Sequence, residues 1–168
     1  YDYMSGIKDF CYRFAAQFGT QGGNILFTGN TGVGKTFLSN CIAREVIERC
    51  HSVVYLTATE LFNIFSRGSF SSEEEAAADI DHSVLDSDLL IIDDLGTERS
   101  NTFTVSKLFF CINERLVRRR GTIISTNLTP GEIRDLYTER VASRILSDYE
   151  ILTLFGKDIR ILKKFGGT

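Results

Sequence analysis

A three-layer α/β fold, a parallel sheet with helices on both faces, is predicted by three observations. Apolar runs of strand length alternate with segments of helical period, the pattern of successive βα units. The first of these runs, Ile25-Leu26-Phe27, is continuously apolar, as a strand covered on both faces must be. It leads directly into Gly29-Asn30-Thr31-Gly32-Val33-Gly34-Lys35-Thr36, which fits G-x-x-x-x-G-K-[ST] in full and precedes a helical pattern. Glycines there let the backbone turn closely with φ > 0 where needed, so that N–H groups and the next helix N-terminus face an anion.

The elements follow in order. Residues 3–18 read as an amphipathic helix, with Ile7, Phe10, Phe14 and Phe18 on one face and Gly19, Gly22 and Gly23 ending it. Ile25–Thr28 is the first strand. The helix after the glycine loop runs to about Arg49, with Leu38, Ile42 and Val46 facing one way. Val53–Leu56 is the second strand, and Thr59 is expected to cap a helix carrying Leu61, Phe62 and Phe65. Residues 66–82 begin turn-like and continue through the acidic run Glu73-Glu74-Glu75, read as a solvated helix start. Leu89–Ile92 is the third strand. A helix over Thr102–Arg119 carries Val105, Leu108, Phe109, Ile112 and Leu116 on one stripe. Thr122–Thr126 is the fourth strand. Thr129-Pro130-Gly131-Glu132 is a capping box with Pro at the first helical position, and the helix it starts has a break near Tyr137. Ile151–Phe155 is the fifth strand.

The 168 residues suit one domain, and 43% hydrophobic with 24% charged content marks an ordinary globular chain. A net charge of −3 argues against a surface coated with basic residues for nucleic acid, while leaving room for a local basic stripe. The chain opens on Tyr1, as expected of a piece of a longer protein. No apolar run reaches ~18 residues and no basic-then-apolar leader opens the chain, so neither a membrane span nor a signal peptide is expected. Cys11, Cys41, Cys50 and Cys111 form no C-x-x-C pair; buried reduced thiols are expected, in keeping with a cytoplasmic location.

The second chemical signal is Leu89-Leu90-Ile91-Ile92-Asp93-Asp94, four apolar residues and then two carboxylates at the strand's C-terminal end, where parallel sheets bind ligands. Downstream of a phosphate loop this is a Walker B strand. Lys35 would reach the β/γ-phosphates of ATP, and Thr36 and Asp93 would hold Mg²⁺. Asp94 sits where a base could orient the attacking water. It is one methylene shorter than Glu, ~1 Å, and misplacement of that size costs on the order of 10²-fold in rate, so hydrolysis is expected to be slow or partner-stimulated. Asn127, directly after the fourth strand, could hydrogen-bond the γ-phosphate or the water. Arg140 and Arg144, four apart on one helical face, read either as a solvated face paired with Glu139 or Asp148, or as arginines inserted into a neighbouring subunit's site. Arg160 could reach the phosphates from the chain's own side.

Together these stretches resemble the AAA+ ATPases, and more narrowly the bacterial replicative-helicase loaders of the DnaC/DnaI type. The resemblance runs over roughly residues 22–164 and is carried by Gly29–Thr36, Leu89–Gly96 with Thr97-Glu98, Ser125-Thr126-Asn127, Glu139–Ile145 and Gly156–Arg160. It implies a five-stranded parallel sheet in order 5-1-4-3-2, no separate helical lid, and a single AAA+ domain over 1–168 with a leading helix to residue 20 and the core from 21. Asn127 would be sensor 1, Arg144 the arginine finger with Arg140 beside it, and Arg160 a sensor 2-like arginine. The nucleotide set would be Gly29 through Thr36 with Phe37 and Arg160. Implied partners are the replicative helicase, held by an amino-terminal domain outside this chain, single-stranded DNA, and further copies assembled as a spiral or ring. The transposition helper ATPases of the IstB type share nearly the same core and are the alternative. A small-molecule kinase, or a scaffold that binds nucleotide without hydrolysis, are further alternatives. For DNA the candidates are Arg115, Arg118, Arg119, Arg120 and the stretch from Phe65 through Arg67 to Phe70, since aromatics beside cations suit single strands.

Overall fold

The computed structural model describes residues 2–19, 23–70 and 82–159. The elements are α1 (Asp2–Gln17), β1 (Asn24–Gly29), α2 (Lys35–Glu48), β2 (Val53–Thr57), α3 (Ala58–Phe70), β3 (Leu89–Leu95), α4 (Thr102–Val117), β4 (Gly121–Thr126), α5 (Pro130–Asp148) and β5 (Glu150–Leu154). A helical turn over 82–86 leads into β3. The run Glu73–Glu75 and Arg160 lie outside the described residues, as do the side chains of Arg67 and Phe70.

All five strands are parallel, in the order β2-β3-β4-β1-β5, which is the expected order read from the other edge. Period-two alternation splits each strand between two cores. Ile25, Phe27, Leu89, Ile91 and Ile123 face α1 and α2. Leu26, Leu90, Ile92 and Ile124 face α3, α4 and α5. The apolar stripe of α1 is Ile7, Cys11, Ala15 and Phe18, with Phe10 and Phe14 half-buried at its margin.

Several local expectations are corrected. The cap of α3 is Thr57, not Thr59: the Thr57 hydroxyl accepts from the Glu60 N–H at 3.2 Å while the Glu60 carboxylate accepts from the Thr57 N–H at 2.8 Å. Residues 66–70, read as turn-like, continue α3, and Phe65, a candidate for DNA, is buried in the core. Cys11 and Cys111 are buried, but Cys41 and Cys50 are exposed, Cys41 on the outer flank of the α2 stripe and Cys50 in the turn after α2. Arg115 is fully buried and cannot meet DNA. It faces inward because α4 ends against the turn 82–86 and the start of β4. There it donates to the carbonyls of Val84, Leu85, Ser87 and Gly121 and to the hydroxyls of Ser87 and Thr122 at 2.6–3.2 Å. Of its neighbours, Arg118 is ion-paired with Asp86 and Glu114, and Arg120 with Asp88.

The α5 capping box forms as expected between Thr129 and Glu132, with Pro130 behind it. The break lies at Thr138, whose φ of 77° and ψ of 158° interrupt the helix one residue after Tyr137.

Candidate functional site

The carboxyl end of the sheet gathers the motif residues. The chain leaves β1 at Gly29 (φ 138°), where a Cβ would stand 2.2 Å from the Leu154 carbonyl oxygen, so only glycine can pass beside β5. The loop turns again at Gly32 (φ 78°), against the Asp158 carboxylate, and its carbonyl accepts from the Ile159 N–H at 2.9 Å. The segment after β5 thus docks on the loop. Gly34, left-handed at φ 107°, starts α2 with no side-chain cap. The N-terminal N–H groups of α2 are therefore open toward the concave face of the loop, an arrangement suited to phosphate.

Lys35 and Asp93 anchor the site. Lys35 is buried and donates to the carbonyls of Gly29 and Asn30 at 2.6 and 2.8 Å and to Asn127 Oδ1 at 2.7 Å. Asp93 is buried at the end of β3, and the Thr36 hydroxyl donates to it at 3.0 Å. Two residues that sequence reasoning missed complete the cage. The Tyr55 hydroxyl donates to Asp93 Oδ2 at 2.6 Å, and the Ser125 hydroxyl donates to Asp93 Oδ1. Burial, and then the hydrogen bond to Asp93, push the Tyr55 phenol far up, so it stays protonated and donates. A signal for both was present in strand parity: Tyr55, Asp93 and Ser125 occupy alternate positions on the face turned toward α2, as do Val53, Ile91 and Ile123.

Asp94 stands apart from Asp93. Its φ is 56°, at an irregularity where the β3–β4 register shifts between Ile92 and Leu95, and its side chain is exposed. Its N–H donates to Ser125 Oγ at 3.1 Å. The bulge therefore turns two adjacent carboxylates into different jobs: one caged, one presented to solvent.

An open groove of about 790 Å³ adjoins the loop. Met4 and Tyr12 of α1, Val33 and Gly34 of the loop, Phe37 of α2 and Ile159 line it. Phe37 is 69% exposed there, a large aromatic face left uncovered beside the phosphate loop. Asn30 and Thr31 are exposed at the loop's crest.

Arg140 and Arg144 are not brought to this cluster. Both are exposed on the half of α5 beyond the kink. Arg140 lies over the Phe109 ring, 4.6 Å from its centroid, and Arg144 is 4.0 Å from Asp148. The end of α5 is tied to the amino-terminal end of the sheet, where Asn24 Nδ2 donates to the Asp148 carbonyl. The six residues of β1 separate that end from the glycine loop by ~20 Å.

The donor set fits a magnesium nucleotide. Thr36 and Asp93 supply hard oxygen ligands side by side, Lys35 and the loop N–H groups supply the anion cradle, and the flanking groove is apolar and aromatic. Among the described residues no helix is long and apolar enough to cross a membrane.

A family profile described as "IstB-like ATP binding protein" matches residues 13–164. The chain is 26% identical over 149 residues to the replicative helicase loader DnaC of Escherichia coli K12, covering 87% of this chain and 59% of that protein. It thus spans little more than half the length of these curated relatives. In structure it is similar to the crystal structure of the DnaC helicase loader, with a TM-score of 0.78, 24% identity, and 91% of this chain and 90% of that one covered. It is also similar to the replication initiator DnaA bound to AMPPCP and single-stranded DNA, with a TM-score of 0.76, 18% identity, and 93% and 50% covered.

Proposed function

The chain belongs to the IstB-like ATP binding proteins, which are AAA+ ATPases, and from that premise, together with its similarity to DnaC, we propose that it is the ATPase domain of a loader that places a replicative helicase on single-stranded DNA. ATP hydrolysis is the switch, and each ATP site is completed by the next subunit. In this reading the helicase is gripped by an amino-terminal region outside the chain.

The geometry of the loop and of the Asp93 cage supports these roles, and the family resemblance supplies that of Arg160. The loop Gly29–Thr36 would cradle the phosphates with its N–H groups, and Lys35 would shift from loop carbonyls onto them. Thr36 and Asp93 would hold Mg²⁺, which when bound neutralises phosphate charge and polarises the phosphoryl oxygens. Phe37 and the groove would take the nucleoside. Asp94, exposed beside the Asp93 cage, would orient the attacking water. Asn127 would hold the γ-phosphate end, where it already meets Lys35, and Arg160 is assigned to the phosphates from the chain's own side. Arg144, with Arg140, would stabilise the transferring phosphoryl group of the adjoining protomer.

The observation that carries this reading is the separation just described. Arg144 lies one helical turn before Asp148, toward the amino-terminal end of the sheet and away from its own glycine loop, which supports a role at a phosphate of a second copy. Mixing Lys35→Ala protein with Arg144→Ala protein tests it. Each alone should be inactive, and the mixture should recover turnover. No recovery, or wild-type turnover by Arg144→Ala alone, overturns the shared site. Binding to single strands should strengthen with ATP and weaken with salt. The family match also supports a second reading, a transposition helper ATPase. Delivery of a hexameric replicative helicase onto single-stranded DNA by the full-length protein separates the two.

A further inference from the structure

The loop that follows Asp94 is fastened to the kink of α5 at two points. The Tyr137 hydroxyl, on a fully buried side chain, donates to Glu98 Oε1. The other Glu98 oxygen accepts from the Gly96 N–H at 3.0 Å. Ser100 Oγ donates to the Leu136 carbonyl at 3.0 Å, a carbonyl whose helical acceptor role the break at Thr138 disturbs. On the strand side, Asp94 O accepts from the Thr97 hydroxyl at 2.9 Å, and Leu95 O from the Thr126 hydroxyl at 2.6 Å. Gly96 (φ 101°) is pressed against Leu128. Asp94 and Tyr137 are thus linked through one hydrogen-bonded turn, in which Thr97 holds the Asp94 carbonyl and Glu98 holds the Gly96 N–H and the Tyr137 hydroxyl. Tyr137 adjoins the residue where α5 breaks, and the half of α5 beyond that break carries Arg140 and Arg144.

We infer that Glu98 and Tyr137 are positioning residues that couple the two ends of the ATPase cycle: they transmit the state of a subunit's own Asp94 loop to the arginine face it offers its neighbour. The inference rests on the shared-site reading. Its physical basis is that regular helical geometry stops at Thr138, so the half of α5 that carries Arg140 and Arg144 is joined to the first half through one non-helical residue, while the clamp fixes that junction to the loop carrying Asp94. Burial, and then the Glu98 carboxylate, push the Tyr137 phenol far up, so the donor stays protonated throughout the working range. Neither residue reaches the nucleotide site itself, so their removal should leave nucleotide affinity alone.

The test uses Tyr137→Phe, which keeps the ring and deletes the hydroxyl. Lys35→Ala/Tyr137→Phe protein is the arginine donor, and Arg144→Ala protein is the acceptor. Recovered turnover should fall about tenfold below that with the Lys35→Ala donor, within the usual span of coupling energies. Affinity of Tyr137→Phe protein for a non-hydrolysable ATP analogue should stay unchanged. A second readout needs no turnover: hydrogen exchange of the amides over 139–148, which should change when the analogue binds wild-type protein and not when it binds Tyr137→Phe. Should the phenylalanine variant fail to fold, Glu98→Ala breaks the same bond from the more exposed partner, and the same two results are expected. Equal recovery together with an equal exchange response overturns the clamp. Failure of the parent Lys35→Ala and Arg144→Ala mixture instead refutes the shared site, and the exchange comparison still judges the clamp.

Discussion

Replacing Arg115 by Met should lower stability by about 5 kcal/mol, because it leaves several buried carbonyl oxygens without their donor. The figure can be worked from the contacts. Arg115 makes six donations at 2.6–3.2 Å, four of them to main-chain carbonyls, those of Val84, Leu85, Ser87 and Gly121. Stranding a buried acceptor costs about 1–3 kcal/mol, so four amount to about 8 kcal/mol at mid-range. Against that, burial lowers the Arg115 pKa from 12.5 to about 10. Removing the cation therefore returns about 3 kcal/mol of desolvation cost. The remainder, about 5 kcal/mol, is a large part of the ~5–15 kcal/mol available to a domain. Urea denaturation of the two proteins measures it: the midpoint should drop with the slope unchanged. A DNA-contact role predicts the opposite, an unmoved midpoint with weaker and less salt-sensitive binding to single strands. A loss under about 1 kcal/mol would refute the reasoning from burial.

Tyr55→Phe removes a hydrogen bond to the buried Asp93 carboxylate, worth about 1.5–3 kcal/mol. The Mg²⁺ concentration needed for half-maximal nucleotide binding should rise about tenfold or more with Mg²⁺-free affinity unchanged, and an unmoved Mg²⁺ titration would dismiss Tyr55 from the cage. Thr138→Gly relieves a backbone conformation nearly confined to glycine, and should raise stability by about 1 kcal/mol in thermal melts; a lower melting temperature would count against strain at the kink. The Asp88 carboxyl is held below its ordinary 3.8, first by the Ser52 N–H. A depressed carboxyl stabilises above its unfolded value, and that contribution disappears as pH falls through the folded one. Asp88→Asn should therefore trail the parent at neutral pH, with the gap narrowing as pH falls below 3.8; a gap independent of pH would reject the linkage.

Much was legible without coordinates because the relevant physics is local. A period of two or of 3.6, a G-x-x-x-x-G-K-[ST] turn after an apolar strand, acids at a strand end, and Thr-Pro-Gly-Glu at a helix start each depend on neighbours within a few residues. All five strands and the capping box of α5 formed as read, and the order of the sheet is the one the family resemblance implies. The Thr59 cap failed by two residues because Thr57 has its Glu three positions on, a detail that only the observed box distinguishes.

What tertiary structure alone decided is which residues from distant parts of the chain meet, and on which side of the surface a cation lies. Arg115 and Arg119 belong to one basic stretch, yet one is fully buried and the other exposed, because α4 closes over the turn 82–86 only at its last inward position. Tyr55 lies in no motif and Ser125 had no role in its own; parallel pairing of β2, β3 and β4 brings them to Asp93. The adjacent carboxylates of Asp93 and Asp94 are equivalent on paper and are separated by one irregularity in β3. Glu98 and Tyr137 lie 39 residues apart and join only because α5 returns beside the loop after β3. The motif residues of the site were thus written in local pattern. The hydroxyls that surround Asp93, and the contact between Glu98 and Tyr137, came from long-range packing that no local pattern encodes.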